Sequence, residues 1–127
     1  MSNNSNVILF KELSYIIIGA AFTVHRTMGC GFAESCYGHA LALELQHLFI
    51  PFTREERFEV YYHDELCGHL ITDFIIDNKI ILELKSASEI SSSHVAQLFS
   101  YLRATHLKVG YVLNFGSKSL QFRRLIL

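Results

Sequence analysis

From about Ile8 to Met28, apolar residues recur three and four positions apart, with Leu13, Ile16, Ile17, Ala20, Ala21 and Val24 on one face. That spacing predicts a helix. Gly29-Cys30-Gly31 ends it, since glycine accepts the positive φ of a helix C-cap. A second helix is expected from about Ala33 to Leu48, with a stripe of Tyr37, Leu41, Leu45 and Leu48 and with Ala40 and Ala42 alongside. The stretch Phe49 to Thr53 contains Pro51 and breaks it. The period then changes to two. Phe58, Val60 and Tyr62 alternate with Arg57, Glu59 and Tyr61, which predicts a strand, and His63-Asp64-Glu65 is turn-like. Leu66 to Ile76 is a second extended run, closed by the turn signal Asp77-Asn78. Ile80 to Leu84 is apolar almost throughout, as in a strand buried on both faces. Ser86 to Ser93 is rich in helix N-cap residues, and a helix with Val95, Leu98, Phe99 and Leu102 on its apolar side follows over Ser92 to Thr105. Lys108 to Phe115 and Leu120 to Ile126 read as the last two strands, separated by Gly116-Ser117-Lys118.

The order is therefore α-α-β-β-β-α-β-β. Three strands form a meander, a helix crosses over, and the strand after it lies parallel to one of the first three. This predicts an α/β fold with a mixed sheet of α+β character flanked by helices. The chain of 127 residues fits one domain over positions 1–127.

Composition narrows the partners. Half of the residues are hydrophobic and 18% are charged, which suits a dense core without disulfides and leaves only Met1 to Asn6 as an expected disordered tail. The net charge of −1 counts against a strong stand-alone grip on duplex nucleic acid, where phosphate contacts dominate affinity. The N-terminus shows no secretory signal pattern, and the apolar run Tyr15 to Val24 is too short to span a bilayer. A cytoplasmic protein without membrane contact is expected. The odd cysteine count of three (Cys30, Cys36, Cys67) is read as reduced thiols. Zinc held by Cys30, Cys36 and His39 lacks the usual ligand spacing. A Cys36 nucleophile beside His39 has no further support.

The chemistry-bearing pattern is Asp73 followed by Glu83-Leu84-Lys85. Glu83 and Lys85 share one face at the end of an apolar strand, where charges are costly unless paired or metal-bound. If Ile76 pairs with Ile80 across the turn, Asp73 faces Glu83. Opposed residues in such a ladder have Cβ atoms about 4.5–5.5 Å apart. Two carboxylates so placed repel, and a hard divalent ion, Mg²⁺ or Mn²⁺, relieves the repulsion. Lys85 beside it can orient or deprotonate a water and stabilise charge growing on a phosphate. The alternative is an ion-pair cluster without chemistry. Gln97 and Tyr101, four apart on one face of the crossover helix, can hold a phosphate or the lysine; the alternative is a polar ridge. Glu34, in the first turn of the second helix, suits the helix dipole or points into the same cleft. His25 either contacts a substrate phosphate or packs at its helix end.

The segment Gly31-Phe32-Ala33-Glu34-Ser35-Cys36-Tyr37 resembles the signature of the GxxExxY proteins, a family assigned to the PD-(D/E)xK nuclease superfamily. The resemblance runs from about Ile17 to Phe122. It takes in Val24-His25, Asp73, Glu83-Leu84-Lys85, Gln97 with Tyr101, and Lys108-Val109-Gly110 leading to Asn114-Phe115-Gly116. It implies a restriction-endonuclease-like core, α-β-β-β-α-β, in agreement with the order read from periodicity. It further implies that Asp73, Glu83 and the Leu84 carbonyl are metal ligands, that Lys85 is the catalytic lysine and that Glu34 is the acid from the N-terminal helices. Gln97 and Tyr101 resemble the Q-x₃-Y motif of the branch containing recombination nucleases and phage exonucleases. Cys30 stands where the family loop usually carries proline, and Thr72 replaces the proline before the superfamily aspartate.

Two functions remain open at this point. One is a Mg²⁺-dependent (or Mn²⁺-dependent) nuclease acting on DNA, with Lys85, Glu34 and Gln97 in catalysis, Tyr101 and His25 at the substrate, and Asp73, Glu83 and Leu84 at the metal. The other is a non-catalytic module on the same fold that binds nucleic acid or protein. A homodimer formed through the apolar N-terminal helix or Tyr61 is a possible source of extra grip in either case.

Overall fold

The computed structural model describes residues 8–127; the tail expected over Met1–Asn6 lies outside the described residues. The elements follow the expected order: α1 (Lys11–Met28), α2 (Glu34–His47), β1 (Phe52–Tyr62), β2 (Glu65–Ile76), β3 (Ile80–Lys85), α3 (Ser92–Thr105), β4 (Val109–Asn114) and β5 (Gln121–Ile126). Helix α1 starts later than the apolar periodicity predicts, because Phe10 takes a left-handed φ of 58° that a helix interior does not admit. Leu48, placed on the α2 stripe by its spacing, lies beyond the helix end and is exposed.

The five strands form one sheet in the order β1-β2-β3-β4-β5. Only β3 and β4 run parallel, as a crossover through α3 requires; the other neighbours are antiparallel. Helices α1 and α2 cover one face, where Ile17, Ala21, Leu41 and Leu45 meet Ile80, Leu82, Leu84 and Leu113. Helix α3 covers the other, with Leu98 and Leu102 against Ile75, Ile81 and Val112. Both β3 and β4 are buried along nearly their whole length, which explains their unbroken apolar sequences. Among the described residues no helix is long and apolar enough to cross a membrane.

The N-terminus of α3 is fixed by a capping box: Ser91 Oγ accepts from His94 N–H at 3.2 Å, and His94 Nδ1 accepts from Ser91 N–H at 3.0 Å. The β1–β2 hairpin outruns the sheet. It pairs from Phe52↔Ile76 to Tyr62↔Glu65, with a bulge at Val60/Tyr61, whereas β3 accompanies β2 only over Phe74, Ile75 and Ile76. Most of the hairpin is therefore a two-stranded arm.

At the opposite end of β3, the loop after Lys85 presses against the turn after β4. Phe115 N–H donates to the Lys85 carbonyl at 2.8 Å. A Cβ on Gly116 would lie 2.4 Å from Ala87 N and 2.5 Å from its carbonyl oxygen. Backbone cannot yield as a flexible side chain can. Gly116→Ala is therefore expected to destabilise the fold by about 1–3 kcal/mol in denaturant unfolding. Gly68→Ala, whose Cβ would meet nothing within 4 Å, serves as the comparison; equal effects would mean that the two loops part freely.

Candidate active site

The β2–β3 ladder runs Ile76↔Ile80, Ile75↔Ile81, Phe74↔Leu82 and stops. One step further, the register sets Asp73 opposite Glu83, as the turn at Asp77-Asn78 predicts. Side chains replace backbone acceptors there. Asp73 N–H donates to Glu83 Oε2 at 3.0 Å, and Leu84 N–H donates to Asp73 Oδ2 at 2.7 Å. On the other flank, the β1–β2 register steps over Glu55, which has φ 53°, between Arg54↔Phe74 and Glu56↔Thr72. A left-handed glutamate inside a strand is strained. Asp73 thus sits where both ladders open.

Glu83 is 3% exposed. Burial first, and the Asp73 charge second, push its carboxyl up to about 8. Burial also raises Asp73, against the Leu84 N–H bond and the Lys85 charge, which favour its anion. Near neutrality Glu83 therefore tends to keep its proton.

Lys85 lies two residues beyond Glu83 and on the same side of β3, toward α3. Its Nζ donates to Gln97 Oε1 at 2.8 Å, and Gln97 Nε2 donates to the Tyr101 hydroxyl at 3.3 Å. The (i, i+4) pair on α3 is thus a bracket for the amine rather than a detached polar ridge. Burial, then the charges of Glu83 and Asp73, push the Tyr101 phenol up.

Glu34 opens α2 and approaches from the other helical layer. Its Oε2 accepts from Ser86 N–H at 3.4 Å, while Ser86 Oγ donates to the Phe32 carbonyl at 2.9 Å. Tyr37 explains the spacing. Its ring is fully buried and stacks on Phe115 with centroids 4.7 Å apart, and its hydroxyl donates to the Gly29 carbonyl and accepts from Phe32 N–H at 3.2 Å. Tyr37 anchors the glycine loop one turn below Glu34.

Two residues enter that side-chain spacing did not single out. Arg54 lines a cleft of about 300 Å³ together with Glu34, Asp73 and Leu84. Its guanidinium lies 5.0 Å over the Phe74 ring and its charge favours ionised Asp73. The polar run Thr53-Arg54-Glu55-Glu56 gave no sign of this, since only the fold brings β1 beside Asp73. Asn114 is fully buried and pairs with Lys85 across β3 and β4. Its Oδ1 accepts from Ala87 N–H at 2.9 Å and Gly116 N–H at 3.1 Å, and its Nδ2 donates to the Ala87 carbonyl at 3.0 Å. Asn114 fastens the segment that leaves Lys85. An asparagine closing an otherwise apolar strand was the available signal.

His25 does not join the group. It is buried at the end of α1, where Nε2 bonds the Ser117 carbonyl at 2.9 Å and the ring lies against Phe115. The helix-end packing role is the one realised. Leu84 does join, through its N–H on Asp73. Cys30, Cys36 and Cys67 are exposed free thiols. Among the described residues no group of three or more His, Cys, Asp or Glu stands close enough to hold a metal ion, so the acids form a pair and Glu34 stands apart on Ser86. The pair nonetheless suits a hard divalent cation: all-oxygen donors, buried, mutually repelling, at an opening in the backbone ladder.

A family model of the PD-(D/E)XK nuclease superfamily matches residues 11–125. The chain belongs to that superfamily. A mixed five-stranded sheet with helices on both faces is the restriction-endonuclease-like arrangement of PD-(D/E)XK proteins. Among solved structures, the crystal structure of SSO0001 is similar with a TM-score of 0.57 at 17% identity, covering 72% of this chain and 48% of that one. That likeness concerns the fold alone, and the chain spans about half the length of SSO0001. No curated protein matches.

The buried acid makes stability depend on pH. Folding raises Glu83 from its ordinary 4.5 to about 8, so the folded chain binds more protons than the unfolded one between those values. The resulting stabilisation is complete below about 4.5 and is lost as pH rises through about 8. Without divalent ions, the melting temperature is expected to fall across that window, and Glu83→Gln is expected to flatten the profile. Calorimetry at a series of pH values tests this; a variant profile as steep as the parent's would place the proton elsewhere.

Proposed function

We propose that this chain is a GxxExxY-type nuclease that hydrolyses phosphodiester bonds in DNA with Mg²⁺ or Mn²⁺. The observation that carries the reading is the meeting of three groups at one end of β3: opposed Asp73 and Glu83, and an amine fixed by Gln97. Asp73 and Glu83 would hold the cation, with the Leu84 carbonyl as a further donor. When bound, the ion would neutralise the acids and polarise a phosphate oxygen.

The chain's own residues supply the rest. Lys85, held by the 2.8 Å bond to Gln97, orients the attacking water and stabilises the negative charge that grows on the phosphate. The water oxygen forms a bond to phosphorus as the bond to the leaving sugar oxygen breaks; the attacking water gives up one proton to solvent, and the leaving oxygen takes one proton from solvent. Glu34, across the cleft, accepts a hydrogen bond from the same water. Arg54 faces the cleft beside Asp73 and suits a non-bridging phosphate oxygen. His25, on Ser117, holds the loop after β4 and takes no part at the substrate.

The bracket of Lys85 supports a nuclease over a non-catalytic module. A lysine whose only task is solubility has no need of a glutamine held in turn by a half-buried tyrosine.

Cleavage of labelled single- and double-stranded DNA in Mg²⁺ and in Mn²⁺ tests the proposal. Asp73→Ala is expected to abolish metal binding by calorimetric titration. Lys85→Ala should retain the metal yet lower cleavage by ~10²-fold or more, the scale of losing one charge-stabilising donor. Gln97→Ala should lower cleavage less, by about tenfold, because the amine remains but is free to wander. Cleavage by Lys85→Ala at the parent rate would remove the basis for the reading, as would the absence of any metal-dependent cleavage by the parent chain.

A further inference from the structure

The arm formed by β1 and β2 does not project into empty solvent. Between it and the C-terminal half of α3 lies an open groove of about 870 Å³, walled by Val60 and Leu70 from the arm and by Tyr101 and Ala104 from the helix, with Arg103 and His106 at its edge. We propose that this groove seats a single strand of the nucleic-acid substrate next to the bond that is cut. The inference rests on the nuclease reading and adds to it the route by which one strand approaches.

Four observations converge. First, the groove adjoins the active site through Tyr101, which is both a wall of it and the residue whose hydroxyl accepts from Gln97, the partner of Lys85. A strand lying in the groove therefore touches the residue that braces the partner of Lys85. Second, the lining combines apolar faces with a fixed cation, Arg103. Glu59 is the one acid there, and it is paired at 2.9 Å with Arg57. That leaves the exposed Arg103 to meet a phosphate, with the exposed imidazoles of His69 and His106 beside it as hydrogen-bonding groups. Third, the arm carries aromatic surface that nothing covers: Tyr61, which also lines the groove, is 62% exposed. Flat aromatic groups beside cations are what a single strand needs, because every base offers a π-face and every linkage a charge. Fourth, the groove has the capacity of a small-molecule site, of the order of several hundred Å³. That is room for the unstacked bases of one strand. This local arrangement also answers the net charge of −1, since stacking supplies affinity that phosphate contacts alone do not.

Fluorescence anisotropy with labelled (dT)₁₂, (rU)₁₂ and a duplex of equal length tests the proposal, at low salt and in EDTA so that nothing is cut. The full chain should bind a single strand at least about fivefold more tightly than the duplex, and Tyr61→Ser and Arg103→Ser should each weaken that binding by about fivefold or more, the scale of losing one stacked base. Both side chains are exposed, so the variants fold. Ala104→Trp, which fills the groove without removing a charge, should weaken it likewise. The comparison of (dT)₁₂ with (rU)₁₂ tells whether the groove favours deoxyribose or ribose, and groove-dependent binding of either supports the proposal. Undiminished strand affinity in all three variants would overturn it, as would equal affinity for the duplex or no binding by the parent chain. The nuclease reading is scored separately by adding Mg²⁺ to the parent. Groove-dependent binding without cleavage removes only the nuclease, whereas cleavage unaffected by the three substitutions removes only the groove.

Discussion

A hydrogen-bonded ladder that stops inside a protein leaves backbone donors that must find acceptors. Here the ladder between β2 and β3 stops at Phe74↔Leu82, and the donors beyond it, Asp73 N–H and Leu84 N–H, are met by the carboxylates of Glu83 and Asp73. Each acid thus completes the other strand's backbone. That single exchange allows β3 to turn away toward β4 while β2 continues with β1. It also forces two carboxylates together in a place too dry for both charges. The separation of the arm from the central strands, the retained proton and the affinity expected for a divalent ion all follow from it.

Around this opening the fold supplies rigid supports from three directions. Helix α3, started by the Ser91–His94 capping box, delivers Gln97 and Tyr101 to Lys85. Helix α2, anchored through Tyr37 to the glycine loop and to Phe115, delivers Glu34 to the end of β3. Asn114, at the end of β4, fastens Ala87 on both its donor and its acceptor side. None of these contacts contributes much on its own, since a net hydrogen bond is worth only about 1 kcal/mol. Their effect comes from geometry: they converge on one strand end, so the residues there lose freedom together.

The periodicity of the sequence was enough for the element order and for the two buried strands, because burial on both faces leaves an unbroken apolar run, and its shortness and flanking turn residues distinguish it from a buried helix. The opposition of Asp73 and Glu83 was legible for a related reason. A tight turn at Asp77-Asn78 fixes register, and register then dictates partners by simple counting. Proximity that depends on tertiary docking was not legible. Arg54 is one charge among several in β1, and only the packing of α2 over the sheet places Gly38 beneath its guanidinium and leaves it facing Asp73. His25 failed for the opposite reason. A histidine at a helix end looks available, but the chain beyond β4 folds back over it and takes its ring nitrogen. The start of α1 was misplaced because apolar spacing continues through Leu9 and Phe10 while the backbone at Phe10 is left-handed.

The long β1–β2 arm is the least economical feature of the chain as a scaffold, since two-stranded hairpins are marginal on their own and expose backbone along a free edge. Its retention makes physical sense if the arm is completed by something outside the chain. The strained Glu55, opposite Asp73, sits at the point where the arm leaves the sheet and sets the direction in which it leaves. A backbone held in a left-handed conformation by a residue with a side chain persists only where surrounding structure over-determines it. Here the surroundings are Arg54 packed on Phe74 on one side and Glu56 paired with Thr72 on the other. The same kink that opens the ladder for two carboxylates therefore also aims the arm along α3. The acid pair and the groove are thus two results of one break in strand pairing.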